Sequence, residues 1–183
     1  MQDEPGYVSI KQFFDRRGAF IPNPLESRWL QQNLSFSNRG VLRGMHFQIE
    51  DYAQAKLVRV LNGSAVDVIM DLRNIEGNRD YLNVYVYQLS HFTNANNINA
   101  LYVPKGFAHG FLTLEDNTLF EYYVDASYAP EKERSIHWTN LSVFPEIFEQ
   151  HGLQPEDIIM SDKDQAAITL DEWLARKERV LPF

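Results

Sequence analysis

The chain has no cysteine among its 183 residues. That absence removes disulfides, thiolate nucleophiles and cysteine-ligated zinc, and it fits a reducing compartment. Long apolar runs are also missing. No stretch approaches the roughly 20 residues of a membrane-spanning helix. The opening MQDEPGYVSI is acidic and lacks the apolar centre of a signal peptide, so a cytoplasmic location is expected. Positive charge is in deficit, with 17 Lys and Arg against 25 Asp and Glu, a net −8. Such a balance argues against non-specific nucleic-acid binding. An anionic small ligand stays compatible where Arg and Lys gather in a pocket. No repeat, low-complexity tract or linker interrupts the chain.

Apolar residues reach 44% and charged residues 23%, the balance of a folded globular protein, and 13% aromatics favour strands. The length suits one domain over residues 1–183. AKLVRVL (Ala55–Leu61) alternates, with Lys56, Val58 and Val60 on one face. Asn62-Gly63 follows, a strong hairpin signal, and Ser64–Arg73 is expected to run back. Asn83–Leu89, Asn99–Val103, Gly110–Leu114 and Thr118–Val124 continue the series. Many short strands at close spacing predict a mainly β fold, a jelly-roll barrel or sandwich. The last 40 residues differ. Phe144–His151 and Leu170–Val180 have helical spacing, and Thr169 with Glu172 fits a capping box. Ser161-Asp162-Lys163-Asp164 reads as the start of another short helix. The plan is a β core with a helical C-terminal appendage over about residues 144–183.

Five histidines are present. His91 lies in a polar stretch, His137 in Ser-Ile-His-Trp, and His151 at an expected helix end, where its charge suits the dipole. None of these needs a chemical role. His46 and His109 sit in richer surroundings, VLRGMHFQ and YVPKGFAHGF. Period two would put Arg43 and His46 on opposite faces of a strand, but a bulge at Gly44 would let both serve one cavity. Two inward histidines in a β-barrel invite a metal hypothesis through His46, Gln48 and His109. However, no His-x-His occurs, so the ligand supply is poor. Asp67 and Asp71 alternate with apolar neighbours. Asp164 fits N3 of a capped helix. Tyr122 and Tyr123 face opposite sides of a strand, with Tyr122 inward beside Phe120 and Val124. The residues alone thus reach a β-barrel with a mixed cavity of His, Tyr, Lys and Arg.

The segments RRGAF (Arg16–Phe20), VLRGMHFQ (Val41–Gln48), AKLVRVLNGSAVDVIMDLR (Ala55–Arg73), YVPKGFAHGF (Tyr102–Phe111), YAPEKERSIHW (Tyr128–Trp138) and SDKD (Ser161–Asp164) stand in order along nearly the whole chain. In these the sequence resembles the dTDP-4-dehydrorhamnose 3,5-epimerase family, nucleotide-sugar epimerases of the cupin superfamily. The resemblance implies a jelly-roll homodimer without metal or organic cofactor, acting on a dTDP-linked 4-keto-6-deoxyhexose. A proton next to the C4 ketone is removed and returned from the opposite ring face. That chemistry needs a base, a group for the enolate oxygen and an acid across the ring.

By resemblance His46 is the base and Asp164 orients it. Lys56 meets the enolate oxygen, and Tyr122 returns the proton. The implied substrate contacts are Arg43 for substrate oxygens or the diphosphate, Arg17 for the diphosphate from the same chain or across the dimer, Phe20 and Tyr128 for the nucleotide base, and Gln31, Asn33, Gln48 and Arg59. His109 lines the pocket in support. The chain departs from the family pattern at Leu34, where histidine is usual, at Tyr123, where lysine is usual, and at the Ile-Pro-Asn-Pro after RRGAF. Close relatives that invert one carbon carry nearly the same motifs, so a mono-epimerase stays open. A metal-dependent cupin oxygenase and a non-catalytic sugar-nucleotide binder also remain as alternatives.

Overall fold

A computed structural model describes residues 5–11, 13–15, 18–20, 29–74, 78–91 and 97–181, by backbone alone at 7–11, 13–15, 18–20 and 97–99. Its strands are β1 (Gly6–Lys11), β2 (Phe13–Asp15), β3 (Gly18–Phe20), β4 (Gln31–Ser37), β5 (Leu42–Gln48), β6 (Lys56–Asn62), β7 (Ser64–Asp71), β8 (Val84–Ser90), β9 (Asn97–Val103), β10 (Phe107–Thr113), β11 (Thr118–Val124) and β12 (Glu133–Ser135). Two five-stranded sheets run in the orders β1-β9-β6-β11-β4 and β12-β5-β10-β7-β8, and β2 pairs with β3. Among the described residues every ladder within them is antiparallel, as expected for a jelly roll.

The turn at Asn62-Gly63 is where expected, with Gly63 at φ +79°, but it does not make a hairpin. β6 pairs with β11 and β9, whereas β7 pairs with β10 and β8. The chain therefore turns a corner from one sheet to the other. A side chain at Gly63 would meet Thr118 Oγ1 at 2.5 Å, so the corner is folded tightly onto β11. A local turn signal cannot tell these outcomes apart, because partner choice is set by the rest of the sheet.

Alternation sorts the side chains into layers. Val58, Val60, Ala65, Ile69, Leu101, Val103, Phe107, Phe111 and Phe120 fill the space between the sheets, and Phe111 stacks on Phe120 at 3.8 Å. The opposite faces of β5, β7 and β10 carry Leu42, Met45, Phe47, Val66, Val68, Met70, Ala108 and Leu112. Three helices cover that face: α1 (Val143–Gln150), α2 (Asp162–Gln165) and α3 (Leu170–Arg176). In α1 the buried Phe144, Ile147 and Phe148 keep the i, i+3, i+4 spacing of an amphipathic helix. Trp173 of α3 meets Phe47 edge-on at 4.8 Å. The Thr169/Glu172 capping box is formed, but α3 stops at Arg176, because Lys177 turns left-handed at φ +55°.

Candidate active site

Between the sheets lies a cavity of about 310 Å³, lined among others by Asn33, Arg43, His46, Lys56, His109, Phe111, Tyr122 and Asp164. A smaller one of about 90 Å³ adjoins it and shares His46, Lys56 and Tyr122 with it, adding Gln54, Tyr128 and Glu133. The larger volume is within the range of about 300–1,000 Å³ common for small-molecule sites.

The bulge at Gly44 brings Arg43 and His46 to the same cavity. Between β5 and β10, His46 pairs with His109 and Arg43 with Phe111, so three steps on one strand face two on the other. Gly44 has φ +119°, and a side chain there would meet Gly110 Cα at 2.5 Å. Only glycine fits this close crossing. The other lining residues follow strand alternation. Lys56 is on the inner face of β6 and Tyr122 on the inner face of β11. Tyr123 points to the opposite side and is buried beside Leu57 and Ala100.

His46 Nε2 is 2.5 Å from Asp164 Oδ1, with side chains 29% and 6% exposed. Asp164 is held at its place in α2 because its backbone N–H donates to Ser161 Oγ, the N-cap. Burial alone would raise the Asp164 carboxyl. The bonds and charge it shares with His46, with help from Ser161 and Lys163, bring it below the usual value instead. Lys56 is buried and forms no ion pair among the described residues. Among the described residues its ammonium donates to the His46 carbonyl alone, at 3.4 Å. Burial pushes it down to about 8, against the pull of Asp67 and Glu133. Burial raises the Tyr122 phenol and so keeps it protonated, while Arg43 opposes this.

A second histidine–aspartate pair was not legible in the sequence. His109 Nε2 bonds Asp67 Oδ1, with side chains only 5% and 0% exposed. Burial lowers the His109 imidazole despite Asp67, which favours its neutral form. The sequence does not single out Asp67, because Asp71, four residues on, carries the same pattern. Asp71 instead binds Arg73 and Asn78 at the far end of β7.

Some sequence expectations need correction. Arg59 does not face the cavity. It lies on the other side of β6, buried and ion-paired with Glu121, which also accepts from Gln32 and Tyr123. The alternation that turns Lys56 inward turns Arg59 outward. Gln48 touches the smaller cavity, but its amide is committed to the backbone. Nε2 donates to the Tyr52 and Ser127 carbonyls, and Oε1 accepts from Ala129 N. It thereby fixes the segment that carries Tyr128. Gln31 is exposed at the rim and bonds Asn33 rather than lining either cavity. Tyr128 lines the smaller cavity and donates to Glu133 at 2.7 Å. Arg17 and the Phe20 side chain lie outside the described residues. The groups weighed as metal ligands are engaged otherwise: His46 bonds Asp164, His109 bonds Asp67, and Gln48 bonds backbone groups. Among the described residues no cluster of three His, Asp or Glu side chains is suited to a metal ion. No helix among them is long and apolar enough to cross a membrane.

Comparison with known proteins finds relatives along nearly the whole chain. A profile of dTDP-4-dehydrorhamnose 3,5-epimerases matches residues 1–172. The dTDP-4-dehydrorhamnose 3,5-epimerase of Escherichia coli strain K12 is 38% identical over 176 residues, covering 90% of this chain and 89% of that one. The crystal structure of the enzyme of that name from Elizabethkingia anophelis NUHP1 superposes with a TM-score of 0.78 at 34% identity, covering 93% of both chains. The dTDP-6-deoxy-D-glucose-3,5-epimerase of Legionella pneumophila Philadelphia 1, solved in complex with dTDP-4-keto-L-rhamnose, gives 0.79 at 33% identity, covering 99% of this chain and 94% of that one.

Proposed function

We propose a reaction course from one premise: the chain belongs to the dTDP-4-dehydrorhamnose 3,5-epimerase family. It is an epimerase, and its substrate is a dTDP-linked 4-keto-6-deoxyhexose inverted at C3 and C5. The observation that carries the reading is the placement of His46 and Tyr122 on opposite sheets across one cavity, with Lys56 lining it too. A sugar ring between the sheets presents one face to each, as inversion requires.

His46 removes the proton next to the ketone. Its Nε2–H is engaged by Asp164, and Nδ1, which has no partner among the described residues, is the accepting atom. Asp164 sets the ring and stabilises the imidazolium. The electron pair moves onto the C4 oxygen as an enolate, and the Lys56 ammonium stabilises it in a site poor in water. Tyr122 then delivers its phenolic proton to the carbon from the opposite face. Arg43, held by Ser37, takes the negative oxygens of the substrate. Tyr128 lies along the nucleotide, and Asn33 makes a polar contact at the wall. His109 and Asp67 support the cavity.

The nucleotide side of the site is completed by Arg17 and Phe20, from the same chain or a second copy. A homodimer is supported by the outer face of β4 and the residue before it, where Leu30, Leu34 and Phe36 are 64%, 59% and 65% exposed on one side. The cysteine-free composition fits a cytoplasmic enzyme.

The test follows dTDP-4-keto-6-deoxyglucose in D2O by NMR. Loss of both C3 and C5 proton signals with formation of the inverted sugar is expected. Loss at one position establishes a mono-epimerase, and loss at neither overturns the reading. Tyr122→Phe is expected to retain exchange while losing inversion.

A further inference from the structure

Asp67 has one oxygen too many for the role described so far. Its Oδ1 accepts from His109, while its Oδ2 is buried and has no hydrogen-bond partner among the described residues. The side chain is wholly removed from solvent. A buried carboxylate oxygen left in this state is costly unless charge or hydrogen bonding elsewhere compensates it. Among the described residues, Lys56 is the buried cation of the site with the complementary deficiency. Lys56 is buried, forms no ion pair among the described residues, and extends from the opposite sheet into the same interior.

We propose that Asp67 is a positioning residue of the epimerase site: His109 fixes one carboxylate oxygen, and the other is the negative charge that holds Lys56 as an ammonium ion. The proposal rests on the reading of Lys56 above for its kinetic consequence, though not for the electrostatic one. A lysine can stabilise an enolate only while protonated, and a dry site works against that charge. The groups that act on Lys56 come from several strands. Asp67 on β7 is the first charge in its favour and Glu133 on β12 the second. His46 on β5 and His109 on β10 add no negative charge. Tyr122 on β11 stays a neutral phenol, and Arg43 on β5 is itself a cation. Glu133 is occupied by Lys163 and Tyr128 at the rim. Asp164 on α2 lines the cavity too but is bonded to His46. Among the described residues Asp67 is therefore the anion left to serve the interior.

His109 gives the arrangement its rigidity. Burial favours the neutral imidazole, which takes no charge from Asp67 and only donates a hydrogen bond to it. A protonated histidine there would spend the carboxylate on itself.

Asp67→Asn keeps the shape and removes the charge. In full-length protein labelled with 13Cε-lysine, the Lys56 signal, assigned by its loss in Lys56→Arg, is expected to titrate at least one pH unit lower in the variant. The high-pH limb of turnover should move down by the same shift, a loss of about fivefold at pH 8 that approaches tenfold at higher pH and shrinks as pH falls. In a Lys56→Arg background, where the guanidinium stays charged, Asp67→Asn should move no limb. Asp67→Glu, which restores the charge, should recover much of the shift. Asp67→Ser is the second variant should the amide not fold.

An unmoved Lys56 titration in a folded variant overturns the proposal, as does an equal loss of turnover at every pH. A moved titration with an unmoved turnover limb supports the Asp67–Lys56 coupling and overturns the role of Lys56 in catalysis.

Discussion

Two histidine–aspartate pairs stand side by side on β5 and β10, with similar atoms and opposite circumstances. His46 and Asp164 meet at the cavity mouth, where the imidazole is 29% exposed and its second nitrogen is free of described partners. His109 and Asp67 are sealed in the sheet, 5% and 0% exposed. The first aspartate comes from a short helix 118 residues away in sequence, the second from the neighbouring strand. The contrast teaches that pairing a histidine with a carboxylate does not by itself make a base. A base needs a nitrogen that can reach substrate and a route for its proton. His109 touches the cavity wall but is almost wholly buried and bonded to Asp67, and burial favours its neutral form, so the sealed pair is suited to holding the interior.

The largest expected effect separates the pairs by activity. His46→Ala should lower kcat by about 10³-fold, within the range for a general base, while changing the melting temperature little. Equal turnover in the variant would erase the distinction. Next is stability. His109→Phe leaves the Asp67 carboxylate buried without its donor and should cost about 3–5 kcal/mol, measured by urea denaturation. A loss below about 1 kcal/mol would mean the sealed pair does not hold the fold.

A smaller effect concerns pH. Lys56 titrates at about 8 in the folded protein. A lysine is charged below its pKa, so kcat should be sustained below pH 8 and fall about tenfold per unit well above it. A flat profile to pH 9.5 would show that the ammonium is not needed. The smallest effect tests how the mouth pair is held. Ser161→Ala removes the N-cap of α2 at about 1 kcal/mol. It should lower kcat a few-fold by loosening Asp164, with KM nearly unchanged.

The sequence made the mouth pair easier to find than the sealed one, for a physical reason. His46 and Asp164 sit in distinctive motifs, and the N-cap that fixes Asp164 is visible three residues upstream. Strand periods showed Tyr122 inward and Lys56 inward, and the same period already contained the outward turn of Arg59. Motif likeness overrode it. Asp67 and Asp71 share one face of β7, and only the register against β10 separates the partner of His109 from the partner of Arg73. Register is a long-range property that no local window records. The corner at Gly63 failed for the same reason. An amide next to a histidine motif suggests a substrate contact, and nothing local discloses that backbone groups engage the Gln48 amide.

The crossing of Gly44 and Gly110 has a consequence for how such a site can change. A side chain at Gly44 would strike Gly110 Cα, and one at Gly110 would strike Arg43 O and Met45 Sδ, both at 2.8 Å. Each position forbids substitution because of the other strand's main chain, so a change at one cannot be repaired by a change at the other. The pair is inherited or lost as a unit. A designer moving this histidine and arginine to another barrel would have to transplant both strands, since the two side chains share a cavity only where two backbones nearly touch.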